Sequence, residues 1–395
     1  MNRDMGKPDF PPTLAAARAR LAAIDPHEYA RSRNALDGAV TRLSPYLSHG
    51  LLDLPAVMTA LSEQHGPLHP QHKLVYEFGW REYFHHVWQR RGDAIFRSLH
   101  AGPLPDRAYA RELPADIREA RTGVPVIDRA VRLLYAEGYL HNHLRLWLAS
   151  YIVHLRKIHW RIGADWMYGH LLDGDLASNH LSWQWVAGTG SHKPYLFNAG
   201  NVARHALPDW HSPGTVIDTS YEALDAIARS AEPVGAQSRQ ALGVDEPALH
   251  ERPPAAWGVP DSTAVAGRDV WLVHAWALAD PPPDLPADSV SVAIFEAGHL
   301  HACWPWSAAR WTFVGQRMSE LAALRWWGDA ATLAGALAQA RSVQMVADPH
   351  LSPALHGVAR CRPRPQLFAP VARHCDSFSQ WWKRASAALK LSDRC

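Results

Sequence analysis

From Leu144 onward, Trp147, Leu148, Tyr151, Ile152 and Leu155 fall at steps of three and four, so apolar residues line one face of a helix. Residues 74–88 and 125–135 carry similar patterning, and Gly138, Gly163 and Gly174 punctuate it. The chain is therefore predicted helical from residue 13 to about 210. The pattern then changes. Residues 212–266 are rich in Ala, Pro, Ser and Gly, contain Pro253-Pro254, and hold few aromatics. That composition reads as a linker with one short helix over 221–231. Beyond it lie β-branched, strand-like runs at 269–274, 289–295 and 342–347, with helical patterns at 308–324 and 330–340. Strands alternating with helices predict a parallel sheet. The predicted fold class is α plus α/β: an all-helical domain over 1–211, the linker over 212–266, and a Rossmann-like α/β domain over 267–395. No GxGxxG fingerprint is present, so a dinucleotide site of the usual kind is not supported.

Composition narrows the classes. The 395 residues suffice for two domains. A 47% apolar and 20% charged chain is globular, which excludes extensive disorder. Net charge is only +2, so contact with nucleic acid would need a local basic patch. Cys303, Cys361, Cys375 and Cys395 lack paired CxxC spacing, which argues against zinc. The first twelve residues are polar and proline-rich, without an apolar signal segment, and no run of about 18 apolar residues occurs. The expectation is a cytoplasmic protein with free thiols and no membrane contact. Eighteen tryptophans fit a packed core, and they equally fit aromatic stacking or electron hopping.

The densest chemistry lies between Leu172 and Trp185. Asp173, Asp175, Asn179, Trp183 and Trp185 crowd into fourteen residues. Unpaired buried carboxylates are costly, and an amide offers both donors and an acceptor. That set suits a planar heterocycle with polar edges. Three other segments are ambiguous by themselves. Tyr29 to Asn34 followed by Thr41-Arg-Leu-Ser-Pro-Tyr-Leu could hold phosphate at a helix start, or Thr41 or Ser44 could simply cap that helix. Glu77, Trp80 and Arg81 would share one helix side at i, i+3 and i+4, as would an intrahelical ion pair on a solvated face. Residues 141–161 carry basic groups and four histidines without an acid, a pattern for phosphate contact or for solvent. Their spacing makes no metal set, so no metal is expected.

Taken together, these segments resemble the flavin-binding helical domain of the photolyase/cryptochrome family. The resemblance covers residues 13–200 and rests on Thr-Arg-Leu-Ser-Pro-Tyr-Leu, Trp-Arg-Glu-Tyr, Gly-x-Pro-x-x-Asp, His-Asn-x-x-Arg, and Asp-Gly-Asp-Leu-Ala-x-Asn with Trp-Gln-Trp. The family normally begins with an α/β antenna domain; here the strand-rich segment comes last and resembles that domain, so the resemblance implies a permuted order. It also implies FAD as cofactor. Tyr29, Thr41, Leu43, Ser44 and Arg81 would hold its phosphates and ribityl region, although Val40 replaces a frequent threonine. Asp173 would pair with Arg145 beside the flavin ring, Asp175 would accept from its edge, and Asn179 would face N5. Asparagine there leans towards photolyase rather than receptor members.

By the same resemblance, Trp183 and Trp160 would be the inner and middle members of an electron-transfer chain. The outer tryptophan aligns near Arg107, where none exists, and Tyr109 is the nearest aromatic. Glu77, Trp80, Asn142 and Trp185 match the pocket for a cyclobutane pyrimidine dimer, with Leu146 in place of a common methionine. Asn142 is not the histidine of the (6-4) branch. The implied activity is light-driven repair of such dimers in UV-damaged DNA by electron transfer from excited reduced flavin, a lyase reaction. The alternatives are a cryptochrome-type blue-light receptor with a signalling partner, and a flavoprotein that keeps FAD only as structure or for dark redox chemistry. A second, antenna chromophore is left open: Trp304, Trp306, Trp311, Trp326 and Trp327 could line its pocket or pack a core.

Overall fold

A computed structural model describes residues 10–235 and 242–387. They form two compact units. One gathers residues 10–23, 42–67 and 248–367; the other gathers 24–41, 68–235, 242–247 and 368–387. This division cuts across the boundaries predicted from composition. The reason is visible inside the first unit. Its N-terminal segments bury their apolar faces against the α/β segment: the Tyr46 ring lies 5.9 Å from Phe313, and the His49 carbonyl accepts from Leu278 N over 2.9 Å. Periodicity within a segment reports that a face is apolar, not what covers it.

The second unit is helical. Its helices of seven residues or more are α1 (Pro26–Ser32), α2 (Lys73–Arg91), α3 (Pro125–Glu137), α4 (Asn142–Ser150), α5 (Trp160–His170), α6 (Leu176–Ala187), α7 (Ala199–His205), α8 (Tyr221–Arg229) and α9 (Phe378–Ala385). Local chemistry sets their ends. The Asp175 carboxylate caps α6 by accepting from Ser178 N over 2.7 Å, and Gly188 closes it at φ 75°. Gly138 does the same for α3 at φ 62°. Arg90 and Arg91 sit in the last turn of α2, where the helix dipole favours cations. Helix α6 packs against α2, α4 and α5, with Trp147, Ile152, Trp160 and Trp183 buried in the common core. The apolar face predicted to continue through Leu155 is buried, but α4 ends at Ser150 and a π-turn spans Tyr151–Leu155. All five turn residues are buried, and the buried Lys157 after it donates to the carbonyls of His154 and Ile227.

The first unit carries a five-stranded parallel sheet: β1 (Asp269–Val273), β2 (Val290–Glu296), β3 (Leu324–Gly328), β4 (Ser342–Val346) and β5 (Arg360–Arg362), in the order β3-β2-β1-β4-β5. Three of these strands follow the predicted runs; β3 and β5 do not. Arg325 interrupts the first and two arginines flank Cys361 in the second, so neither shows β-branched enrichment. The predicted helix at 308–324 ends at Leu321, because Ala322 turns extended into β3. Strand order reverses between β1 and β4, and ligands of such sheets enter at the carboxyl ends there. Here that crevice is filled. The Trp276 ring stacks on His350 at 4.3 Å, and the remaining cavity of about 10 Å³ suits a single water. Trp306, Trp311 and Trp326 are buried core residues.

Cys303, Cys361 and Cys375 are free thiols, and Cys395 lies outside the described residues. Among the described residues, no helix is long and apolar enough to cross a membrane, and no cluster of three or more ligating side chains could hold a metal.

Candidate functional site

The site in the helical unit is built where α2, α4, α5 and the start of α6 meet. Arg145 on α4 reaches the turn before α6 and donates from Nη2 to Asp173 Oδ2 over 2.7 Å. Its Nε donates to the Leu140 carbonyl over 2.9 Å, which fixes the guanidinium. The Asp173 carboxylate is buried, so this charged partner offsets a large desolvation cost. Two residues on, Asp175 spends Oδ1 on the α6 cap and places Oδ2 3.0 Å from His85 Nε2 of α2. One turn further, Asn179 donates from Nδ2 to the Ala164 carbonyl of α5 over 2.8 Å. That bond fixes the amide and directs its remaining donor and acceptor elsewhere.

A second cluster lies on the same α2. Arg33 Nη1 donates to Glu77 Oε1 over 2.8 Å, its guanidinium stands 6.0 Å from the centre of the Tyr29 ring, and its carbonyl meets His141 Nε2 at 3.0 Å. His141 caps α4, so Asn142 begins beside this arginine. Burial raises the Glu77 pKa above its ordinary value, although Arg33 pulls it back. Burial also pushes the Tyr29 phenol up, with Glu77 adding to the shift. Trp80, one turn beyond Glu77, is half-buried, while Asn142 and Trp185 are exposed. The Trp185 ring lies 5.5 Å from Tyr195.

Trp183 lies on α6, and a separate row of rings joins Trp160, His159 and Tyr109. Trp183 is buried over Gly163, where an added Cβ would come within 2.3 Å of its ring. Trp160 is buried and donates from Nε1 to Ser98 Oγ over 3.0 Å. Its neighbour His159 lies 5.7 Å away, and Tyr109 meets His159 edge-on at 6.3 Å. The backbone places Tyr109 there: Ala110 N donates to Lys157 O, and His159 N donates to Ala110 O. Burial pushes the Tyr109 phenol up to about 12.

The structure thus gathers Tyr29, Glu77 and Asn142 around Arg33, and Arg145 with Asp173. Arg81 is half-buried on α2, on the Glu77 side. Thr41 ends the segment beginning with α1, whereas Leu43 and Ser44 belong to the other compact unit. There the helix Ser44–Ser48 begins with Leu43 as its cap residue and no side-chain capping bond, so neither Thr41 nor Ser44 acts as the cap. Arg42 between them adopts φ 50°, a left-handed conformation costing a non-glycine residue about 1 kcal/mol. Arg33, His85 and His159 were not distinguishable in the sequence. Arg33 sits in the Tyr29–Asn34 segment, but only the fold brings Glu77 to it.

Residues 74–209 match the family described as the FAD binding domain of DNA photolyase. A deoxyribodipyrimidine photo-lyase of Streptomyces griseus is 35% identical over 153 residues, covering 39% of this chain and 33% of that protein. One from Escherichia coli (strain K12) is 32% identical over 233 residues, covering 53% and 49%. Cryptochrome DASH of Idiomarina loihiensis is 32% identical over 169 residues, covering 41% and 38%. The chain spans between a third and a half of the length of these curated relatives. FAD is the cofactor of the matched domain, and the residues present fit it. The start of α6 offers carboxylate and amide groups with Arg145 beside them, and Ser178 Oγ in the same turn is buried without a hydrogen-bond partner. The domain over residues 74–209 is thus similar to the FAD-binding domain of the photolyase/cryptochrome family.

Proposed function

We propose that the protein is a light-driven repair enzyme acting on cyclobutane pyrimidine dimers in DNA, a photolyase-type lyase of the cytoplasm. Bound FAD supplies the light-excited electron. The observation that carries this reading is that Arg33 meets both Glu77 and His141, the residue before Asn142, with Trp80 one turn beyond Glu77 and accessible surface at Glu77, Asn142 and Trp80. A flipped lesion presents carbonyl and N–H edges and needs an apolar wall. Glu77 and Asn142 supply the edge contacts; Trp80 and Trp185 supply walls. Arg33 orients Glu77, and burial shifts the Glu77 carboxyl towards its protonated form, which suits a hydrogen bond to a lesion carbonyl.

In this reading Arg145 and Asp173 form the fixed ion pair against the flavin ring, and Asp175 and Asn179 meet its polar edge. Tyr29, Thr41 and Arg81 take the phosphates and ribityl chain. Trp183, Trp160 and Tyr109 carry electrons inward from the surface, with His159 between the last two. The α/β segment, which follows the flavin-binding residues in sequence, corresponds to the family's antenna domain. Its 3-2-1-4-5 strand sequence supports that correspondence. The relatives named deoxyribodipyrimidine photo-lyase support repair.

A second reading, a blue-light receptor acting on a signalling partner, is favoured by the tyrosine at the outer end of the aromatic line and by the cryptochrome relative. Binding separates the two. The FAD-loaded protein in the dark is expected to prefer a thymine-dimer oligonucleotide to its undamaged counterpart by at least about tenfold at fixed salt. Equal affinities would favour the receptor.

A further inference from the structure

The chain's last described helix, α9, packs against α2 through a ring that does more than fill space. Phe378 stacks on Trp80 with centroids 4.0 Å apart and planes inclined by 8°. Phe378 is itself buried and held by Tyr76 at 4.8 Å and Tyr83 at 5.7 Å, both edge-on, and by Trp382 at 5.5 Å. Gly79 lets α9 come this close: an added Cβ there would lie 2.3 Å from the Trp382 ring.

Helix geometry says which face is covered. With 3.6 residues per turn, Tyr76, Gly79 and Tyr83 form the stripe of α2 that meets α9. Glu77 and Arg81 form the next stripe round, towards Arg33 and α1. Trp80 projects between the two stripes. Its α9-side face is closed by Phe378, Tyr83 and Phe84 lie 5.8 Å and 5.5 Å from the half-buried indole, and helix spacing puts Glu77 one turn before it on the side away from α9. Tyr83 and Phe84 meet the indole at 79° and 45°, whereas Phe378 lies parallel to it, so the Phe378 stack is the contact that sets the ring plane.

We propose that Phe378 is a positioning residue for lesion recognition, holding the Trp80 plane so that its Glu77-side face receives the flipped dimer. The inference rests on the repair reading given above. It assigns a recognition role to a residue nearly 300 positions away in sequence, in the segment following the α/β sheet.

The test uses full-length, FAD-loaded protein in the dark at fixed salt. Dissociation constants are measured for a thymine-dimer oligonucleotide and its undamaged counterpart, for wild type, Phe378→Leu, Phe378→Tyr and Trp381→Leu. Loss of one aromatic stack predicts a weakening of dimer binding on the order of three- to tenfold in Phe378→Leu. Undamaged-strand affinity and flavin content stay unchanged, and Phe378→Tyr restores the wild-type value. Trp381→Leu loosens α9 without touching Trp80 and leaves dimer preference intact. Unchanged dimer affinity in Phe378→Leu overturns the proposal while leaving the repair reading standing. Tighter binding also overturns it, because the ring would then be covering the lesion face. Equal losses in Phe378→Leu and Trp381→Leu reduce Phe378 to a packing role. No dimer preference in wild type overturns the repair reading and this inference together.

Discussion

Arg145 and Asp173, 28 residues apart, form a 2.7 Å ion pair whose carboxylate is buried at the turn into α6. The pair holds α4 to that turn and aims Asp175 and Asn179 from a common base. Removing one partner leaves a buried charge uncompensated, which costs far more than the pair contributes net.

Arg145→Ala is therefore expected to lower unfolding stability by about 3 kcal/mol at neutral pH and to reduce FAD content. Adding Asp173→Asn in the same chain removes the stranded charge and recovers a large part of the stability, but not the flavin content. Denaturant unfolding and the flavin absorbance of the purified proteins read both effects.

Gly163 permits the buried Trp183 ring to lie against α5. Gly163→Ala forces that ring aside, at a cost of roughly 1–3 kcal/mol. Flavin photoreduction is expected to slow while FAD stays bound, because the displaced ring belongs to the proposed electron path. Illuminating the oxidised protein with an external reductant and following flavin absorbance measures this.

Glu77 tests the proton account. Its pKa is raised by burial, so its protonated form persists to higher pH than in a free glutamate. Repair that depends on the proton then falls as pH rises through that raised value. Glu77→Gln keeps a donor but cannot titrate, so this limb disappears. Arg33→Ala removes the larger of the two cationic influences that lower the pKa, the other being Lys73, so the limb moves to higher pH. Profiles of single-turnover repair in the three proteins give the comparison.

His154 gives a stability test with the opposite sign. It is fully buried beside the Val186 carbonyl, 2.8 Å from Nε2, and burial lowers its pKa to about 4. Between its unfolded value near 6.5 and about 4, the unfolded chain binds the proton and the folded one does not. Its contribution is thus present above pH 6.5 and lost as pH falls through that window. His154→Gln retains a donor for Val186 without titrating. Its Tm is expected to fall less than that of wild type between pH 7 and 4.5, as thermal unfolding at several pH values would record.

Several contacts of the candidate site are local in sequence. The stretch from Asp173 to Trp185 holds the cap, the ion-pair acid and the buried Trp183 within one turn and one helix, and α2 displays its apolar face by spacing alone. What was hidden depends on chain closure. Arg33 meets Glu77 across 44 residues, His85 meets Asp175 across 90, and Phe378 meets Trp80 across 298. No periodicity in one segment reports a partner in another. The division into compact units was hidden for the same reason, since the Tyr46 and His49 faces look like any other helical apolar surface. Strand β3 was lost to Arg325, whose stem can cover apolar surface while its charge stays wet.

The measurement closest to the central claim is repair itself. A thymine-dimer oligonucleotide is incubated with the purified, FAD-loaded protein after chemical reduction of the flavin, under blue light and in the dark. Loss of dimers in the light and none in the dark is the predicted result. Intact dimers in both, with FAD bound and fully reduced, would contradict it and favour the receptor reading.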